Sequence, residues 1–147
     1  MKKIALLLIL FLTGCGYETI YSKNEQDKLE FKKIILEGDN MINNQIISSL
    51  NIKTNVSNSE ELKLVTNYNI VGTSKNPKGQ IITYRSSINT NLIVRNEKKN
   101  IINKNFYNEF THYNQENKFE LTEYQNTIRE NLTKDLTEKI ILFLKIR

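Results

Sequence analysis

Apolar residues recur every three or four positions between residues 119 and 146: Leu121, Tyr124, Ile128, Leu132, Leu136, Ile140 and Phe143. That spacing predicts one long helix with a single apolar stripe. Upstream the period changes to two. In ELKLVTNYNIVGT, Leu62, Leu64, Tyr68 and Ile70 share one face, and Lys63, Asn67 and Asn69 share the other. A strand with one wet face is expected. SKNPKGQ, which holds the only proline, is the turn that follows. The next run alternates most clearly. Ile82, Tyr84, Ile88, Leu92 and Val94 point one way, while Thr83, Arg85, Ser87, Asn89, Asn91 and Arg95 point the other. NEKKN turns the chain again, and IINKNFYNEFTHY makes a fourth strand with Ile102, Phe106 and Phe110 in register.

The first part of this pattern is shorter. LEFKKIILEG reads as a strand with Leu29, Phe31 and Ile35 on one face, ended by Gly38. Asp39 or Asn40 can then cap a helix by accepting its orphan backbone N–H groups. Met41, Ile42, Ile46, Ile47 and Leu50 are spaced to form its apolar face, and residues 51–59 are a polar loop. The predicted order is β-α-β-β-β-α. This is an α+β fold, a two-layer sandwich of a four-stranded, mostly antiparallel sheet with two helices on one face. No segment remains to cover the second face of the sheet. Its residues are polar, so it is expected to meet water or a polar partner.

The N-terminus follows a different rule. After Met1-Lys2-Lys3, Ile4 to Leu12 are apolar without a break. The run is too short for a bilayer, which needs about 20 such residues. It fits the apolar core of a secretory signal, about 7–15 residues long. Thr13 and Gly14 supply small residues for cleavage, and the next residue, Cys15, is the only cysteine. The segment resembles the lipobox of bacterial lipoproteins, in which that thiol is acylated and becomes the first residue of the mature chain. The predicted organisation is a signal peptide over 1–14, a lipidated N-terminus and tether over 15–27, and one α+β domain over 28–147. An acylated Cys15 leaves no thiol for disulfides, so the domain must hold by packing alone. Gly16 stands where an Asp would retain a lipoprotein at the inner membrane, which implies the outer membrane.

Charge says little about partners. The chain carries +5, and the signal holds Lys2 and Lys3, leaving +3 on the rest. That mild excess gives no reason to expect nucleic acid. No cofactor is expected, because the sequence has no Gly-rich phosphate loop, no serine nucleophile elbow and no paired metal ligands. The single histidine, His112, sits among Phe110, Thr111 and Tyr113, as structural histidines often do. An enzyme is therefore not expected.

Taken together, the Cys15-Gly16-Tyr17 start, the element order, the KGQIITYRSSINTNLIV strand and the final helix with Arg129 resemble the LptE family. These are lipopolysaccharide-assembly lipoproteins of Gram-negative outer membranes. The resemblance implies a one-to-one partnership with the β-barrel LptD, whose lumen LptE plugs and whose folding it assists. It also implies contact with lipopolysaccharide and anchoring to the outer membrane, on the periplasmic side, through the N-terminal lipid. The cations it suggests for lipopolysaccharide are Lys75 and Lys78 in the turn, Arg85 on the following strand and Lys104 on the fourth. Pro77 stands where some relatives carry arginine, so Lys75 or Lys78 would have to substitute. The competing expectation is a pilotin-like lipoprotein of another secretion or pilus system.

Overall fold

A computed structural model describes residues 29–96 and 99–146. The signal segment, Cys15 and the tether lie outside them. The elements are β1 (Glu30–Phe31), β2 (Lys33–Gly38), α1 (Asn40–Ser49), β3 (Lys53–Thr54), β4 (Glu60–Lys75), β5 (Ile81–Asn96), β6 (Lys99–Tyr113) and α2 (Lys118–Lys145). The main sheet has the order β2-β4-β5-β6. β2 runs parallel to β4, and the other pairs are antiparallel. β1 and β3 form a separate parallel pair, Glu30 opposite Lys53 and Phe31 opposite Thr54. The α+β sandwich read from the sequence is the observed fold.

Register explains which face is dry. Leu62 lies opposite Val94, Leu64 opposite Leu92 and Tyr68 opposite Ile88. These even-numbered side chains share one face of the sheet, the inner face, because strand side chains alternate. Ile42 and Ile46 of α1 and Leu132, Leu136 and Ile140 of α2 pack on it, forming one cluster with Leu62, Leu64, Ile88, Leu92 and Phe106. Each aliphatic side chain taken fully out of water contributes roughly 1.5–3 kcal/mol. The helices start where the sequence places them. The Asp39 side chain accepts from the Ile42 N–H at 3.1 Å, and Asn117 caps α2 through the Phe119 N–H at 2.9 Å.

Gly38 sets the exit from β2. Its φ is +83°, and a Cβ there would meet the Thr66 carbonyl oxygen at 2.0 Å. The next residue donates its N–H to that same oxygen at 2.8 Å. The chain turns hard against β4 at this point, and α1 begins level with Thr66.

Four sequence expectations change. A bend at Lys32 separates β1 from β2 and shifts the alternation. Phe31 stays in the core, but in β2 it is Ile34 and Leu36 that pack inward. Ile35, opposite Lys63, belongs to the outer face instead. Met41 is 71% exposed because α1 turns Ile42, Asn43 and Ile46 inward, with Leu50 buried just after its end. The segment read as a polar loop contains β3 and the buried Ile52, paired through β1. Phe110 shares the inner face with Phe106 yet is 47% exposed, whereas Phe106 is buried against Phe143 of α2. β6 is an edge strand, so its side chains have strand neighbours on one side only.

Candidate functional site

The outer face of the main sheet is built from the odd-numbered residues of β4, β5 and β6, and no described element covers it. Its rows are dominated by amides. Val65, Asn91 and Asn105 form one row, Asn67, Asn89 and Tyr107 the next, then Asn69, Ser87 and Glu109. Asn67, Asn69, Asn89 and Asn105 are exposed. The Asn91 Oδ1 has no hydrogen-bond partner among the described residues. An amide both donates and accepts without carrying charge, so this face offers hydrogen bonds in both senses at a lower desolvation cost than charged groups would carry. Apolar residues also stand on this face: Val65 in the first row, and Val71, opposite Arg85 and 52% exposed. Ile93, between Lys63 and Asn103, is nearly buried on this face.

Charge enters the face where Glu61 lies opposite Arg95 and at two ion pairs. Lys63 Nζ lies 2.6 Å from Glu37 Oε1. Further along, Arg85 Nε lies 3.7 Å from Glu109 Oε2, and the Tyr107 hydroxyl donates to the same carboxylate. That hydrogen bond, with some burial and the Glu109 charge, raises the Tyr107 pKa above its ordinary 10.0, while Ser87 and Arg85 oppose the shift.

The four candidate cations do not converge. Lys75 closes β4 opposite Ile81, and Lys78 sits in the turn beyond it. Asn76 organises that turn: its Oδ1 accepts from the N–H groups of Lys78 and Gln80, both at 3.0 Å. Gly79 supplies the φ of +80° that closes it. Arg85 is four residues along β5 from Ile81, about 13 Å away at the strand rise. It faces the outer side, already engaged with Glu109. Lys104 lies opposite Leu92 and therefore on the inner face, at the edge of the sheet. Leu92 is eleven residues from Ile81, so Lys104 sits roughly 35 Å from the turn.

Two clusters carry more structure than the sequence suggested. Arg129 Nη2 lies 2.7 Å from Asp39 Oδ1 and 2.6 Å from Oδ2, and its guanidinium sits 5.2 Å from the centre of the Tyr68 ring. One carboxylate thus caps α1 and ties it to α2. The sequence signal was an arginine beside the apolar stripe together with an acid at a helix cap, but nothing local pairs residues 90 positions apart. His112 is buried between Tyr84, stacked at 5.8 Å, and the edge-on ring of Tyr124 at 5.5 Å. Its Nδ1 lies 3.2 Å from the Tyr113 carbonyl oxygen, which can only accept, and its Nε2 lies 3.4 Å from the Ser86 hydroxyl. On the helix side, a groove of about 550 Å³ between α1 and α2 is lined by residues of both charges, among them Glu130, Lys134 and Glu138.

No protein-family model matches this sequence, and no curated protein matches it. Solved structures do. The rare lipoprotein B of Shewanella oneidensis aligns with a TM-score of 0.57 at 10% identity, over 77% of this chain and 93% of that one. Lipoprotein B of Nitrosomonas europaea aligns with 0.59 at 8% identity, over 78% and 83%. A minor lipoprotein of Acinetobacter baumannii aligns with 0.52 at 14% identity, over 77% and 90%. The chain has the fold of these bacterial lipoproteins. The shared part is nearly the whole of each neighbour, so the fold holds as a unit at identities where few side chains are shared.

Proposed function

We propose that this chain is an outer-membrane lipoprotein, anchored through acylated Cys15, that plugs an LptD-type β-barrel and assists its assembly and its insertion of lipopolysaccharide into the outer leaflet. The observation that carries the reading is the uncovered amide face. The lumen of a transmembrane barrel is polar, whereas its apolar band faces lipid. A plug therefore needs a broad surface that hydrogen-bonds without exposing large apolar area. Asn67, Asn69, Asn89, Asn91 and Asn105 present such a surface on long strands with two helices packed behind them. The lipoprotein fold and the position of the sole cysteine support the anchor.

Lipopolysaccharide, with its phosphates and acidic sugars, would meet cations. Lys75 and Lys78 at the end of the β4–β5 hairpin are the pair best placed for it, because neither is tied to a carboxylate in the described residues. Arg85 would have to leave Glu109, and Lys104 would act at a separate place. The test is affinity purification of the full chain from envelope membranes. A barrel recovered in a one-to-one complex is the expected result. A secretin or pilus subunit in its place would overturn the reading in favour of a pilotin.

A further inference from the structure

β4 has sixteen residues, but its neighbour β2 has six. β2 pairs with Glu61 to Thr66 and then leaves at Gly38. From Asn67 onward, β4 has β5 on one side and no described strand on the other. The direction of its backbone groups follows from two contacts. The Glu60 carbonyl accepts from Lys32 N–H at 2.6 Å, and the Thr66 carbonyl accepts from Asp39 N–H at 2.8 Å. Even-numbered residues of β4 therefore aim their N–H and C=O at the β2 side, since these groups alternate along a strand. Continued past Thr66, the alternation points the N–H and C=O of Tyr68 and Ile70 at the open edge. It leaves those of Asn67, Asn69 and Val71 to β5. The regular stretch ends at the bulge between Gly72 and Ser74.

Native sheets usually blunt such edges with charge, proline or a cover. The outer edge of β6 carries Lys104 and Glu109 in its middle. Asn67 to Thr73 carries no charge and no proline. On the inner face beside it, Arg129 of α2 lies over the Tyr68 ring, but Ile70 beyond it has no such cover. α1 starts level with Thr66 and runs back toward Leu62, so it stops short of Ile70, which is 38% exposed. An open backbone edge and uncovered apolar surface coincide here.

We propose that the Asn67–Val71 edge of β4 is a strand-docking site for an extended segment of the barrel partner, one whose residues alternate apolar and polar. The identity of that partner rests on the function proposed above. Only another extended backbone can pair with N–H and C=O groups spaced two residues apart. The side chains define its pattern. Apolar residues of the added strand fall beside Ile70 on the inner face, and polar ones beside Asn67 and Asn69 on the outer. Strands of a transmembrane barrel have this alternation, apolar toward lipid and polar toward the lumen. Docking would hold one such strand in register while the barrel is still open.

Amide hydrogen exchange on the full chain, free and in the co-purified barrel complex, tests the site. The Tyr68 and Ile70 amides are expected to exchange fast in the free chain and at least tenfold slower in the complex. Equal rates overturn the proposal. Ile70→Pro removes one outward donor at a position where an edge strand tolerates proline. Ile70→Lys keeps the donor but charges the edge. Each is expected to lower barrel recovery about tenfold while circular dichroism stays native, and wild-type recovery with both overturns the site. If the unaltered chain captures no barrel, the functional reading fails by itself. The edge is then judged on the isolated chain with a ten-residue peptide alternating valine and threonine. Protection of the same two amides by that peptide, and not by one with the same residues in two blocks, upholds strand docking. No protection overturns it.

Discussion

At Gly38 a single hydrogen atom in place of a side chain decides the path of the chain. A methyl group would collide with the Thr66 carbonyl at 2.0 Å, and φ of +83° is strained for any L-residue. Gly38→Ala is expected to destabilise the domain by about 3 kcal/mol or more, read as a lower midpoint in urea. Arg129 and Asp39 make a second prediction at this scale. Asp39→Ser keeps a helix cap but removes the charge, and Arg129→Ala removes its partner. Each alone leaves a half-buried polar group poorly matched. The double variant should therefore be less unstable than the sum of the two, by about 1–2 kcal/mol in a double-mutant cycle. Strict additivity would mean that the contact carries no coupling.

The elements were legible wherever the period was long and clean. Seven apolar positions at helical spacing placed α2, and strict alternation placed β4, β5 and β6. Phase failed where a strand was interrupted. Alternation alone puts Ile35 on the face of Phe31, because nothing in LEFKKIILEG announces the bend at Lys32 that divides β1, paired with β3, from β2, paired with β4. Spacing alone puts Met41 on the apolar face of α1, because it cannot say how wide a strip a helix buries. Leu136, fully buried at the centre of α2, gives the prediction for this scale. Leu136→Asp removes an apolar side chain and buries an unpaired carboxylate. A cost of about 4 kcal/mol or more is expected, enough to unfold much of the population of a marginally stable domain. Thermal unfolding followed by circular dichroism checks it, and an unshifted midpoint would mean that the stripe does not face the sheet.

For the whole molecule, the anchor and the charge distribution make separable predictions. Cys15→Ser should leave the protein unprocessed or released from the membrane fraction, since firm attachment needs more than one acyl chain. Wild-type protein found wholly in detergent-free soluble extracts would overturn the anchor. Lys75→Asp with Lys78→Asp should weaken lipopolysaccharide binding by the isolated domain, and residual binding should fall further with added salt, as screened charges require. The barrel complex should survive, because the amide face is untouched. Lys104→Asp alone should do less, because Lys104 stands on the other face and far from the turn. Equal losses from both changes would mean that binding follows net charge rather than place.

Periodic and local features are legible in the sequence alone. The lipobox-like run before Cys15, the change from period two to period 3.6, a helix cap at Asp39 or Asn40 and the polarity of one sheet face all depend on residues within a few positions of one another. The tertiary structure alone decided how these parts meet. It separated Lys104 from Lys75 and Lys78, because register places Lys104 beside Leu92. It joined Asp39 to Arg129 across 90 residues. It ended β2 at Gly38, opposite Thr66, and left nine residues of β4 with an open edge. Pairing partners and strand ends are set by long-range contacts, and a sequence pattern carries the phase of each strand but not the identity of its neighbour.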